Sequence, residues 1–131
     1  MDFLLLGFGV ILMMGGLFLL CRGKKKKLNR EDFNLFSHKI NNTHTLDPAH
    51  ALIESHKLFV AAIGKIYPEK KMTAAETVSQ VSKMFKNEHD VWKFHHLRNR
   101  IAHETDMKVS FEQSHEARKA FIRALKSLTQ K

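Results

Sequence analysis

Phe3 to Leu20 is a run of eighteen residues with no charged or strongly polar side chain, and it limits how much chain is left to fold. With Cys21 it reaches about 28 Å as a helix, close to the hydrocarbon thickness of a bilayer. A transmembrane helix is therefore expected over residues 1–21. A cleaved signal peptide starts with a basic region and ends at small residues, whereas this run starts Met1-Asp2 and ends Leu19-Leu20-Cys21-Arg22. Leu20 also stands where a bacterial lipoprotein signal needs a small residue. About 110 residues remain, enough for one small core.

The basic residues are unevenly placed. Arg22, Lys24, Lys25, Lys26, Lys27 and Arg30 lie within nine residues, whereas from Glu31 onward sixteen Lys and Arg face twelve Asp and Glu. Most of the formal net charge of +9 thus belongs to a juxtamembrane linker, residues 22–28. A basic flank after the apolar run predicts a single-pass topology with the N-terminus outside and the following domain cytoplasmic. The same flank is expected to hold anionic headgroups of the lipid bilayer. Cys21 is the sole cysteine, so no intramolecular disulfide forms.

Residues 29–131 read as an all-α, up-and-down bundle of about five short helices. Strand-like alternation and Asn-Gly or Asp-Gly turns are missing, and start signals recur at helical intervals. Asn29 with Asp32 opens a helix expected over Arg30 to Lys39, with Phe33, Phe36 and Ile40 at helical spacing, and the polar run Asn41 to Thr45 ends it. Asp47-Pro48 opens a second, expected to reach about Tyr67, with a stripe of Leu52, His56, Phe59, Ile63 and Ile66. Thr73 and Glu76 form a capping box for a third, with Ala74, Val78, Val81 and Phe85 inward. Asn87, with Asp90, is the expected cap of the fourth. Ser110 and Gln113 box the last helix, whose core face is Ala117, Phe121, Ala124, Leu125 and Leu128.

The fourth helix carries the residues that point to chemistry. Trp92, His96, Asn99 and His103 recur at i, i+4, i+7 and i+11 and share a stripe. Three of them are polar, so burial in the helix's own core would leave costly unsatisfied groups, and the stripe is expected at a cleft or a subunit interface. Phe94, Leu97 and Ile101 supply the apolar contact instead. Arg98, Asn99 and His103 make an R-N-x-x-x-H pattern. It resembles the signature of the HEPN superfamily, small all-helical domains that include many metal-independent ribonucleases. The resemblance spans roughly Asp47 to Lys131, and its specific content is those three residues on a helix. Some antitoxin-paired members carry a tyrosine two residues after the histidine; Thr105 stands there, so neutralisation through such a tyrosine is not supported.

Metal-independent RNA cleavage needs a base for the 2′-hydroxyl, an acid for the leaving oxygen and a cation for the phosphorus oxygens. His103 suits acid or base work because an imidazole titrates near neutrality. Arg98 suits the cation role through paired hydrogen bonds to phosphate, and Asn99, one turn before His103, is placed to orient the imidazole or a phosphate oxygen. His96 and Arg100 are the candidate substrate-binding neighbours. Arg98 and His103 point roughly 140° apart around one helix axis, so two copies about a two-fold axis offer better convergence. HEPN ribonucleases typically form their cleft at such a dimer interface. The resemblance therefore implies a homodimer acting on RNA, in a defence or toxin setting. The competing reading is a non-catalytic, membrane-tethered helical adaptor or nucleotide-binding module with an unidentified protein partner, in which Arg100 merely pairs with Glu104. No H-E-x-x-H, P-loop or G-x-S-x-G motif occurs, and neither metal nor cofactor is expected. His56 is expected as a buried, hydrogen-bonded histidine, and of the pair His95 and His96 the latter is expected in the cleft.

Overall fold

The computed structural model describes residues 26–129, and among them it is an all-α bundle. Five helices follow in order: α1 Arg30–Asn42, α2 Pro48–Gly64, α3 Ala74–Val81, α4 Glu88–His103 and α5 Phe111–Leu128. Single 3₁₀ turns, Thr43–Thr45 and Ser82–Met84, follow α1 and α3. No described helix is long and apolar enough to cross a membrane. The expected membrane segment, with Arg22, Lys24 and Lys25, lies outside the described residues; Lys26 and Lys27 are exposed.

The helix starts follow local chemistry. The Asn29 side chain accepts from the Asp32 N–H, and Asp47 accepts from the His50 N–H with Pro48 beside it. Thr73 with Glu76, and Ser110 with Gln113, form reciprocal capping boxes, each satisfying N–H groups that a helix start leaves unpaired. Two ends differ from expectation. α1 continues through Asn42 because Thr43 turns inward, where its hydroxyl donates to the Ile40 carbonyl and meets Ser55 Oγ at 2.8 Å. α2 stops at Gly64, and the chain tightens into i→i+3 bonds from Lys65, Ile66 and Tyr67 before Pro68. Asn87 is not a side-chain cap; its amide donates instead to the Ala120 carbonyl at 3.0 Å.

α2 is central and touches all four other helices. Leu52, Phe59 and Ile63 are fully enclosed, as are Phe121, Leu125 and Leu128 of α5 opposite. Phe59 and Phe121 stack with centroids 4.8 Å apart, and Phe94 and Phe85 close the cluster from the side. Burial of each such side chain contributes about 1.5–3 kcal/mol, so the α2–α5 seam carries the fold.

Two contacts fix which end is which. Leu28 is 1% exposed and its N–H donates to the Leu128 carbonyl at 2.8 Å, so the folded unit reaches into the residues read as linker. Lys26 adds an ion pair to Glu69 at 2.9 Å. The chain thus enters where α2 and α5 finish. α4 begins at that end too, since the Lys86 N–H donates to Ser127 Oγ at 3.2 Å while Phe94 packs on Phe121 further along. It runs antiparallel to α5 and carries His103 to the opposite end.

Candidate functional site

α4 buries Val91, Phe94, His95 and Leu97 and half-buries Arg98 and Ile101. At 100° per residue these lie on one broad side, with Arg98 close to its centre. The stripe predicted for a cleft, Trp92, His96, Asn99 and His103, runs along the edge of that side: Trp92 and Asn99 are half-buried, His96 and His103 exposed. Phe94, Leu97 and Ile101 pack against the core as expected.

The site's polar organisation centres on a residue that sequence reasoning ranked second. His95, not His96, is the buried member of the pair. Its Nδ1 meets His56 Nε2 at 2.9 Å, and its Nε2 meets Asn99 Nδ2 at 3.3 Å. Arg98 in turn donates through one terminal nitrogen to Asn99 Oδ1 at 3.3 Å. The four side chains form one hydrogen-bonded row across α2 and α4. His96 instead lies outside, its ring stacked near Trp92 with centroids 6.0 Å apart.

The protons in this row follow from its arginine end. A guanidinium only donates, so Asn99 must turn its oxygen to Arg98 and its NH2 to His95. His95 Nε2 then accepts, its Nδ1–H donates to His56 Nε2, and His56 carries its own proton on Nδ1. Both rings are thereby neutral. Electrostatics agree: burial, then His95, then Arg98 push His56 from 6.5 to about 4, and burial, then His96 and Arg98, lower His95. Phe121 faces the His56 ring edge-on at 5.7 Å and Trp92 does the same to His95 at 5.3 Å, so water is kept from the pair on two sides. Arg98 Nε is buried without a hydrogen-bond partner, and the residue forms no ion pair among the described residues.

The remaining candidates are less engaged. His103 is the last residue of α4 and is exposed. Asn99, expected to orient His103, spends its hydrogen bonds on Arg98 and His95. Arg100 makes a two-point exposed ion pair with Glu104, at 3.2 and 3.4 Å, as i, i+4 spacing predicts. Arg98, Asn99 and His103 therefore share the last turns of α4, but in one chain only Arg98 and Asn99 touch. The signal that identifies His95 was present: it stands four residues after Val91 and one after Phe94, on the apolar face, whereas His96 is turned about 100° further round. Comparison with protein-family models, with curated proteins and with solved structures finds no match to this chain.

Proposed function

We propose that this chain is a membrane-anchored, HEPN-like, metal-independent endoribonuclease whose site forms where two copies meet. Phe3 to Leu20 is its transmembrane anchor, and the up-and-down bundle stands in the cytoplasm on the basic flank Arg22 to Lys27. His103 performs proton transfer, and Arg98 steadies the charge developing on the phosphorus oxygens. His96 and Arg100 border the substrate RNA. The observation that carries this reading is the state of the two key side chains. His103 is exposed at a helix end, and Arg98 is held by Asn99 with no carboxylate partner among the described residues. Arg98 has thus kept the positive charge that a phosphate needs.

The row Arg98–Asn99–His95–His56 favours a second reading, a non-catalytic adaptor, because buried hydrogen-bonded rows also serve to fix a core. Activity separates the two. A Lys26–Lys131 fragment, which keeps the buried Leu28, is incubated with RNA in EDTA. Cleavage leaving 2′,3′-cyclic ends, lost in His103→Ala and in Arg98→Ala, supports the enzyme. Mixing the two inactive variants then restores roughly a quarter of the activity if each site joins two chains, since half the dimers are mixed and each carries one intact site. Equal cleavage by wild type and both variants marks a contaminant and sinks the enzyme reading; no cleavage at all leaves the adaptor.

A further inference from the structure

Away from the motif, α4 and α5 enclose a groove of about 570 Å³, with Asn41 of α1 at its edge. That volume suits a small organic ligand. Its walls carry Lys93 from α4 and Lys119, Arg123 and Lys126 from α5, against the carboxylates Asp90 and Glu116. Lys119 is engaged by Glu116 at 3.3 Å. Lys93, Arg123 and Lys126 have no ion-pair partner among the described residues, and Lys93 Nζ is held 5.1 Å over the Phe94 ring. Three cations without an ion-pair partner among the described residues, on facing helices and outnumbering the groove's one such free carboxylate, Asp90, form a claw for a compact anion.

A second feature of the same wall points to what accompanies that anion. Asn87 is 7% exposed, and its Nδ2 donates to the Ala120 carbonyl. A carbonyl only accepts, so the amide cannot be reversed, and its Oδ1 is left buried without a donor. The residue does no capping work for α4. An amide oxygen kept without a partner in the wall of a basic groove is matched by a ligand that brings an O–H or N–H. Asp90 beside it accepts from the same kind of group and disfavours a bare, highly charged anion.

We propose that this groove binds a glycerophosphate-type ligand, its phosphate on Lys93, Arg123 and Lys126 and its adjacent hydroxyl or ammonium donor on Asn87. Such a ligand is either free or the headgroup of a phospholipid. Lys126 lies one turn before Thr129, at the end where the chain enters the bundle through Leu28, so a headgroup source, which rests on the membrane anchor proposed above, requires no long reach.

The test uses the full chain in phosphatidylcholine nanodiscs, with the Asn87 side-chain amide and Arg123 Nε–H followed by NMR. Titration with glycerol 3-phosphate is expected to move both signals saturably. Affinity falls roughly tenfold in Lys93→Gln and in Arg123→Gln, exposed positions whose loss leaves the core intact. Inorganic phosphate, which lacks the neighbouring donor, binds roughly tenfold more weakly. Replacing part of the lipid with phosphatidylglycerol moves the Asn87 signal without added ligand if the source is a headgroup, and leaves it still if the ligand is soluble. The proposal fails if neither glycerol 3-phosphate nor phosphatidylglycerol shifts Asn87. It also fails if both variants bind like wild type, or if inorganic phosphate binds as tightly as the ester.

Discussion

Lowering the pH should weaken the bundle through one buried ring, and His56→Gln should remove most of that sensitivity. Burial holds the His56 pKa at about 4 in the folded chain against 6.5 for an unhindered imidazole. Between those values the unfolded chain binds a proton that the folded chain does not. Stability is therefore complete above about pH 6.5 and declines as pH falls toward 4, below which both states are protonated and the loss levels off. Moving one pKa by that much corresponds to about 3 kcal/mol, a large share of the 5–15 kcal/mol typical of a domain. His95 is lowered as well, so its loss has the same sign. Glutamine at position 56 keeps a polar group facing His95 but does not titrate. Urea unfolding of the Lys26–Lys131 fragment, repeated from about pH 7 to about pH 4, should show the wild type losing about 3 kcal/mol more than the variant. Carboxylates such as Glu69, lowered by its Lys26 hydrogen bond, titrate in both proteins and cancel in the difference. Equal losses would mean that His56 is not held neutral in the folded chain, and the proton assignment along the row would be wrong.

Three further outcomes test the packing. Phe121→Ala, which removes the ring stacked on Phe59 and set against Phe94 and His56, should destabilise by about 3–5 kcal/mol in urea unfolding. Ser110→Ala deletes the acceptor for the Gln113 N–H and should cost about 1 kcal/mol, with amide exchange quickening first in the opening turn of α5. Gly64→Ala should stabilise by about 0.4–1 kcal/mol, because the added Cβ meets nothing within 4 Å and the backbone is not left-handed; a drop in midpoint would show that α2 needs the freedom of glycine at its end.

Most of the helical frame was legible because its signals are local. Four of five starts are set by a side chain reaching three residues along the chain, and the inward stripes of α2 and α5 are apolar but for Ser55, His56 and Ser114. The failures lie where a distant group takes over a local one. Asn87 has the look of a cap, but the Ala120 carbonyl, thirty-three residues away, claims its amide. α1 outruns its expected end because Ser55 of the next helix gives Thr43 a reason to turn inward. Leu28 reads as the last residue of a charged linker, yet its partner is the end of α5. No window along the chain contains both members of these pairs.

The site was harder to read for a related reason. Counting polar positions picked out the edge of α4 and passed over His95, whose place on the apolar face was legible but whose partner was not, because His56 lies on another helix. The row changes what the motif can do. Asn99 is committed to Arg98 and His95 and so is not available to aim His103 within one chain. If the two termini of the motif cooperate, Arg98 is the one preset from behind by Asn99, and His103 must take its orientation from RNA or from a second copy. It follows that His95→Leu, which cuts the row at its middle, should disturb Arg98 before it disturbs His103. On the proposed RNA-cleaving reading, the activity of His95→Leu on RNA in EDTA should then fall toward that of Arg98→Ala; full activity would show that Arg98 does not depend on the row.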